Sequence, residues 1–184
     1  MNPRKSLKEL NLLDKFLFDE AMDDPENVKT MLDIILSQNT NLKHPPQTEK
    51  EQRRSTDNRQ IRLDVYAVDE DDVIYEVEAQ KENTHNLPKR SRLYQGIIDS
   101  KLLPPGVVDF NLLNEVLIVL IMPFDLFGYG LYRYTFHMRC EEVPELKLND
   151  GATRIFLNTR GKHPELVSPE LIAVSYTHLR AHET

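Results

Sequence analysis

A chain of 184 residues with 40% hydrophobic and 29% charged side chains suits one globular domain with a proper core, not a disordered segment. A net charge of −7 argues against a general nucleic-acid coat, and the longest apolar run, Val116 to Met122, falls far short of the roughly 20 residues a bilayer span needs. The single cysteine, Cys140, excludes an internal disulfide, so a cytoplasmic protein with no membrane span is expected.

Residues 6–39 read as two helices. Leu10, Leu13, Phe16 and Leu17, then Val28, Met31, Leu32, Ile35 and Leu36, fall at the spacing of an apolar helix stripe. Asp23-Asp24-Pro25-Glu26 divides them, with Asp24 a natural N-cap and Pro25 at the first helical position. Residues 39–58 are polar, carry Pro45-Pro46 and show no period, so they read as a loop. Two alternating segments, Arg62–Val68 and Val73–Lys81, flank the turn cluster Asp69–Asp72 and form a β-hairpin. With the turn centred on Asp71, Arg62 faces Gln80, Asp64 faces Glu78 and Tyr66 faces Glu76. Leu63, Val65, Ala67, Val77 and Ala79 then take the opposite, apolar face.

A helix follows from Lys89 to about Leu103, with Leu93, Ile97 and Ile98 as its apolar positions and Pro104-Pro105-Gly106 closing it. The run Val116–Ile121 reads as a strand buried on both faces, which implies helices on both sides of a sheet. Strands over 132–138 and 153–158 complete the order α-α-β-β-α-β-β-β, an α/β sandwich with a central mixed sheet.

Asp64 and Glu78, opposed on one face, form a dicarboxylate able to hold a hard divalent cation such as Mg²⁺. The Ala79 carbonyl offers another oxygen, and Gln80 lies two residues on from Glu78 along the same face. On spacing alone, the solvated face of a hairpin explains Asp64, Glu76 and Glu78 at least as well. Two basic clusters accompany the hairpin. Lys43, Lys50, Arg53, Arg54, Arg59 and Arg62 precede its first strand or begin it, while Lys81, Lys89, Arg90 and Arg92 follow its second. The first reads equally as surface charge or a phosphate track. Arg90 and Arg92, opening a helix beside the acids, are candidate DNA contacts. Glu20 is a candidate auxiliary ligand that reads better as a solvated helix residue, Tyr94 reads as packing, and His85, His137 and Cys140 carry no chemistry.

The stretch RLDVYAVDEDDVIYEVEAQKENTHNLPKRSRLYQGIID resembles the core of the PD-(D/E)XK nuclease-family transposases, relatives of the recombination-promoting nucleases. The residues that match are Asp64 ending one strand, Val77-Glu78-Ala79-Gln80 on the next, then Arg90, Arg92 and Tyr94. Further likeness lies in Leu12–Leu36, LNEVLIVLIMPFDLFG, IFLNTRG and SPELIA, so it covers nearly all of 10–173. The resemblance implies a restriction-endonuclease-like α/β sandwich whose catalytic residues are Asp64, Glu78 and Gln80. It implies a metal held by Asp64, Glu78 and the Ala79 backbone carbonyl, Mg²⁺ with Mn²⁺ as substitute, and DNA phosphodiesters cut by a metal-activated water. DNA is the partner, a membrane is not, and a homodimer is open to the fold. The wider superfamily ends its signature in lysine, whereas Gln80, usual within this family, supplies no positive charge. The alternatives are a non-catalytic DNA- or protein-binding module and a decayed mobile-element remnant.

Val174–Thr184, VSYTHLRAHET, looks like the translation of a transposon-end adapter used to build sequencing libraries. It is set apart from a nuclease-like domain over 1–173 as an artefactual tail. The natural C-terminal region is then expected to be missing, and the i, i+4 spacing of His178 and His182 to be an accident.

Overall fold

The computed structural model describes residues 18, 21–53 and 60–176, with the backbone alone at 49, 51–53, 60–62 and 174–176. Among these lie three α-helices, α1 (Pro25–Leu36), α2 (Leu87–Asp99) and α3 (Pro169–Tyr176), and six strands. The strands are β1 (Gln47–Arg53), β2 (Gln60–Val68), β3 (Ile74–Ala79), β4 (Val116–Met122), β5 (Arg133–Phe136) and β6 (Ala152–Asn158). Helix α1 starts where its sequence demands. Asp24 accepts a hydrogen bond from the Glu26 amide at 3.1 Å, Pro25 opens the first turn, and Ser37 ends the helix in a left-handed conformation. The first predicted helix lies outside the described residues except for Phe18, Ala21 and Met22, all helical and buried.

The six strands form one mixed sheet in the order β1-β2-β3-β4-β6-β5, with β3, β4 and β6 mutually parallel and the other pairs antiparallel. Strand β1 overturns the loop expected over 39–58. Its sequence, QTEKEQR, carries no apolar alternation, and it is an edge strand held by backbone pairing to β2. Helix α2 also ends earlier than expected, at Asp99. Pro104 disfavours helix at Leu103, and the chain passes into turns over Ser100–Leu102.

The hairpin register is the one its alternation predicts: Val65 pairs with Val77, Tyr66 with Glu76 and Ala67 with Tyr75. Buried Asp69 pins the turn. Its carboxylate accepts from the Asp71 and Val73 amides, at 3.0 and 2.9 Å, and from the Tyr75 hydroxyl at 2.6 Å.

Helices cover both faces of the sheet. On one face, Val28, Met31, Leu32 and Ile35 of α1, joined by Leu171 of α3, pack on Val65, Ala67, Val77, Val119 and Ile121. Burial of each such side chain contributes about 2 kcal/mol before entropy is counted. On the other face, Tyr94, Ile97 and Ile98 of α2 meet Ile74, Ile118, Leu120 and Phe156. Strand β4 thus feeds both layers, as its unbroken apolar run requires. Two apolar expectations are corrected. Leu93 is 42% exposed, because the buried stripe of α2 runs through Leu87, Ser91, Tyr94 and Ile98. Leu63 packs in the α2-side layer instead of beside Val65. The β2–β3 ladder ends at Val65–Val77, so β3 no longer dictates the direction of Leu63. Among the described residues, no helix is long and apolar enough to cross a membrane.

Candidate active site

The hairpin brings Asp64, Glu76 and Glu78 to the sheet face that α2 covers. Glu76 and Glu78 are two apart on β3 and therefore share a face, while Asp64 precedes Val65, whose pair with Val77 is the last of the β2–β3 ladder. The face is not solvated. Asp64, Glu76 and Glu78 are 7%, 0% and 8% exposed, which removes the solvated-hairpin alternative. Where the ladder ends, the Ala79 amide turns to the Asp64 carboxylate at 3.3 Å. Gln80, half-buried just past β3, is tied by its amide to the Ile121 carbonyl at 2.8 Å, beside the carboxyl ends of the parallel strands β3 and β4. Open α/β sheets generally bind ligands at such strand ends.

Helix α2 supplies the counter-charge. One nitrogen of Arg90, Nη2, donates to Glu78 Oε1 and Gln80 Oε1, each at 2.5 Å, so Arg90 turns into the site while Arg92 stays exposed. The Gln80 amide is oriented from its other end, where Nε2 donates to the Glu82 carbonyl at 2.6 Å. Tyr94, one helical turn after Arg90, places its ring 5.8 Å from the guanidinium. Burial, followed by the Glu78 charge, raises the Tyr94 phenol above its ordinary value, so it stays protonated.

Sequence reasoning passed over Glu76 as a site residue, while Tyr94 packs as expected, in the α2-side layer. The E-x-E spacing already placed Glu76 beside Glu78, but only the cover of α2 makes that face an interior. Among the described residues, neither carboxylate oxygen of Glu76 has a hydrogen-bond partner. Burial pushes its carboxyl well above the usual range, and the Glu78 and Asp64 charges push it further against the pull of Arg90.

The donors suit a hard cation. All are oxygens, and three carboxyl groups stand against one guanidinium in a largely buried place. Among the described residues, however, no three carboxylate, imidazole or thiolate groups form a ready cage, and Arg90 already sits on Glu78. Glu20 lies outside the described residues.

The surrounding basic residues divide. Lys81, Lys89 and Arg92 are exposed near the start of α2, and no acid stands in its first turn. Lys50 on β1 lies 3.4 Å from the centre of the Tyr66 ring, where burial and then the charge of Lys101 lower its ammonium pKa. Lys43 pairs with Asp72 at 2.6 Å. The side chains of Arg53 and Arg62, and all of Arg54 and Arg59, lie outside what is described.

A sequence model described as PD-(D/E)XK nuclease family transposase matches residues 15–161. No curated protein matches this chain significantly.

Proposed function

Because the chain belongs to the PD-(D/E)XK nuclease-family transposases, we propose that it is an endonuclease that cleaves DNA phosphodiesters with a divalent cation, Mg²⁺ or Mn²⁺. The observation that carries this reading is the buried trio Asp64, Glu76 and Glu78, gathered where β3 ends beside β4 and covered by α2. Burying acids without a task is costly, since each ion loses its hydration. Asp64, Glu78 and the Ala79 carbonyl would hold the cation. When bound, that ion supplies Lewis acidity to the phosphodiester and a more acidic water.

The protein's own groups do the rest. Gln80, fixed between Arg90 and the Glu82 carbonyl, orients what enters beside Glu78. It cannot bring the positive charge that lysine brings in the wider superfamily, so its part is positional. Tyr94 packs beside Arg90 from the helix side. Lys89 and Arg92 meet phosphate at the mouth. Lys89 and Arg90 stand in the first turn of α2, where the helix dipole disfavours cations, which is understandable if a polyanion approaches there. Local basic charge of this kind offsets a net charge of −7 that would otherwise repel DNA.

A non-catalytic DNA-binding module is the second reading, favoured by Arg90 standing on Glu78 and by the lack of a ready cage among the described residues. Plasmid nicking with Mg²⁺ or Mn²⁺, and with chelator, separates the two. Asp64→Asn and Glu78→Gln are expected to abolish nicking while leaving the circular dichroism spectrum unchanged. Gln80→Ala loses about 1 kcal/mol of positioning, hence under tenfold in rate. Nicking that survives both acid changes, or that ignores chelator, would place the chemistry elsewhere. Metal-independent DNA binding with no nicking would favour the module.

A further inference from the structure

We propose that Arg90 is a displaceable internal counter-ion: it holds Glu78 while the site lacks a cation and is released toward phosphate when one binds. This rests on the metal-dependent reading above and adds a coupling between cation and DNA. Three observations carry it.

Arg90 engages Glu78 Oε1, of a candidate metal ligand, and Gln80 Oε1 next to it through a single nitrogen. A dication on Glu78 and a guanidinium on the same carboxylate repel each other, so binding one favours loss of the other. Second, Arg90 is poorly satisfied where it stands. Its Nε is buried with no hydrogen-bond partner, and a buried donor left unmade weakens the hold of the position. Third, its surroundings offer a second place. Arg90 lies in the first turn of α2 with exposed Lys89 and Arg92 beside it, so a short swing adds a bidentate phosphate donor to a mouth that is already basic.

Cation and DNA then bind cooperatively, because the cation frees the group that DNA uses. Isothermal titration with Mn²⁺, comparing the wild-type protein with Arg90→Gln and Arg90→Lys, tests the competition. Arg90→Gln is expected to bind Mn²⁺ about tenfold more tightly, and Arg90→Lys, which keeps the charge, to stay near wild type. Fluorescence anisotropy with a short DNA duplex tests the coupling. Ca²⁺ should tighten wild-type DNA binding several-fold and leave Arg90→Gln unmoved. Should Arg90→Gln fail to fold, a Mg²⁺ titration of the ¹⁵N-labelled wild type replaces it, with the Arg90 Nε–H resonance expected to shift together with the Ala79 amide.

Equal or weaker Mn²⁺ affinity in Arg90→Gln overturns the proposal, as does an unmoved Arg90 resonance while Ala79 shifts. In either case the metal site itself stands. Absence of Mn²⁺ binding in every form defeats the metal-dependent reading, and the counter-ion with it.

Discussion

Glu76→Gln isolates the effect of one buried charge. In the folded protein the Glu76 carboxyl titrates well above its ordinary value of 4.5, because burial and then the charges of Glu78 and Asp64 disfavour the ionised form. Below about pH 4.5 the group is protonated in both folded and unfolded chains and carries no penalty. As pH rises toward the folded value, the unfolded chain releases a proton that the native state retains. Stability then falls by up to about 1.4 kcal/mol per pH unit from this group alone. Glutamine does not titrate, so the variant lacks that slope. Its amide brings a separate, pH-independent cost of about 1–3 kcal/mol, since neither Glu76 oxygen has a partner among the described residues to share with it. Wild type should therefore be the more stable near pH 4.5, and the gap should close or reverse toward pH 8. Urea unfolding of both proteins at half-unit pH steps, with chelator present, measures the difference and cancels the titrating groups remote from Glu76. Saturating Mg²⁺ should flatten the wild-type slope by compensating the charge. A difference between the two proteins that stays constant from pH 4.5 to 8 would refute the account of Glu76 as a buried, charge-stressed carboxyl.

Two further outcomes are expected. Tyr75→Phe removes the hydroxyl that donates to buried Asp69 at 2.6 Å and should lower the unfolding free energy by about 1–3 kcal/mol in urea melts; an unchanged midpoint would show that the backbone donors satisfy Asp69 unaided. Removing residues 174–184 should leave the thermal midpoint within about 2 °C. A fall of several degrees, roughly 1 kcal/mol in a domain this size, would show that the last turn of α3 carries stability.

Short-range chemistry was legible in the sequence. Alternation on either side of Asp69–Asp72 determined the hairpin register, because side chains point to opposite faces with a period of two and the turn sets the count. The Asp24-Pro25 start of α1 and the two-sided burial of β4 were equally local, written in capping chemistry and in an unbroken apolar run. The shared face of Glu76 and Glu78 followed from the alternation, and the family from the ordered set of motifs around it. Tertiary structure decided the rest. Strand β1 is held by backbone hydrogen bonds to β2, which leave no mark on its polar side chains. Leu63 changes layer because a ladder ends beside it. Glu76 is an interior charge, and Arg90 an inward ion pair, only because α2 lies across the acidic face; a strand's alternation says which residues share a face but not whether a helix will bury it.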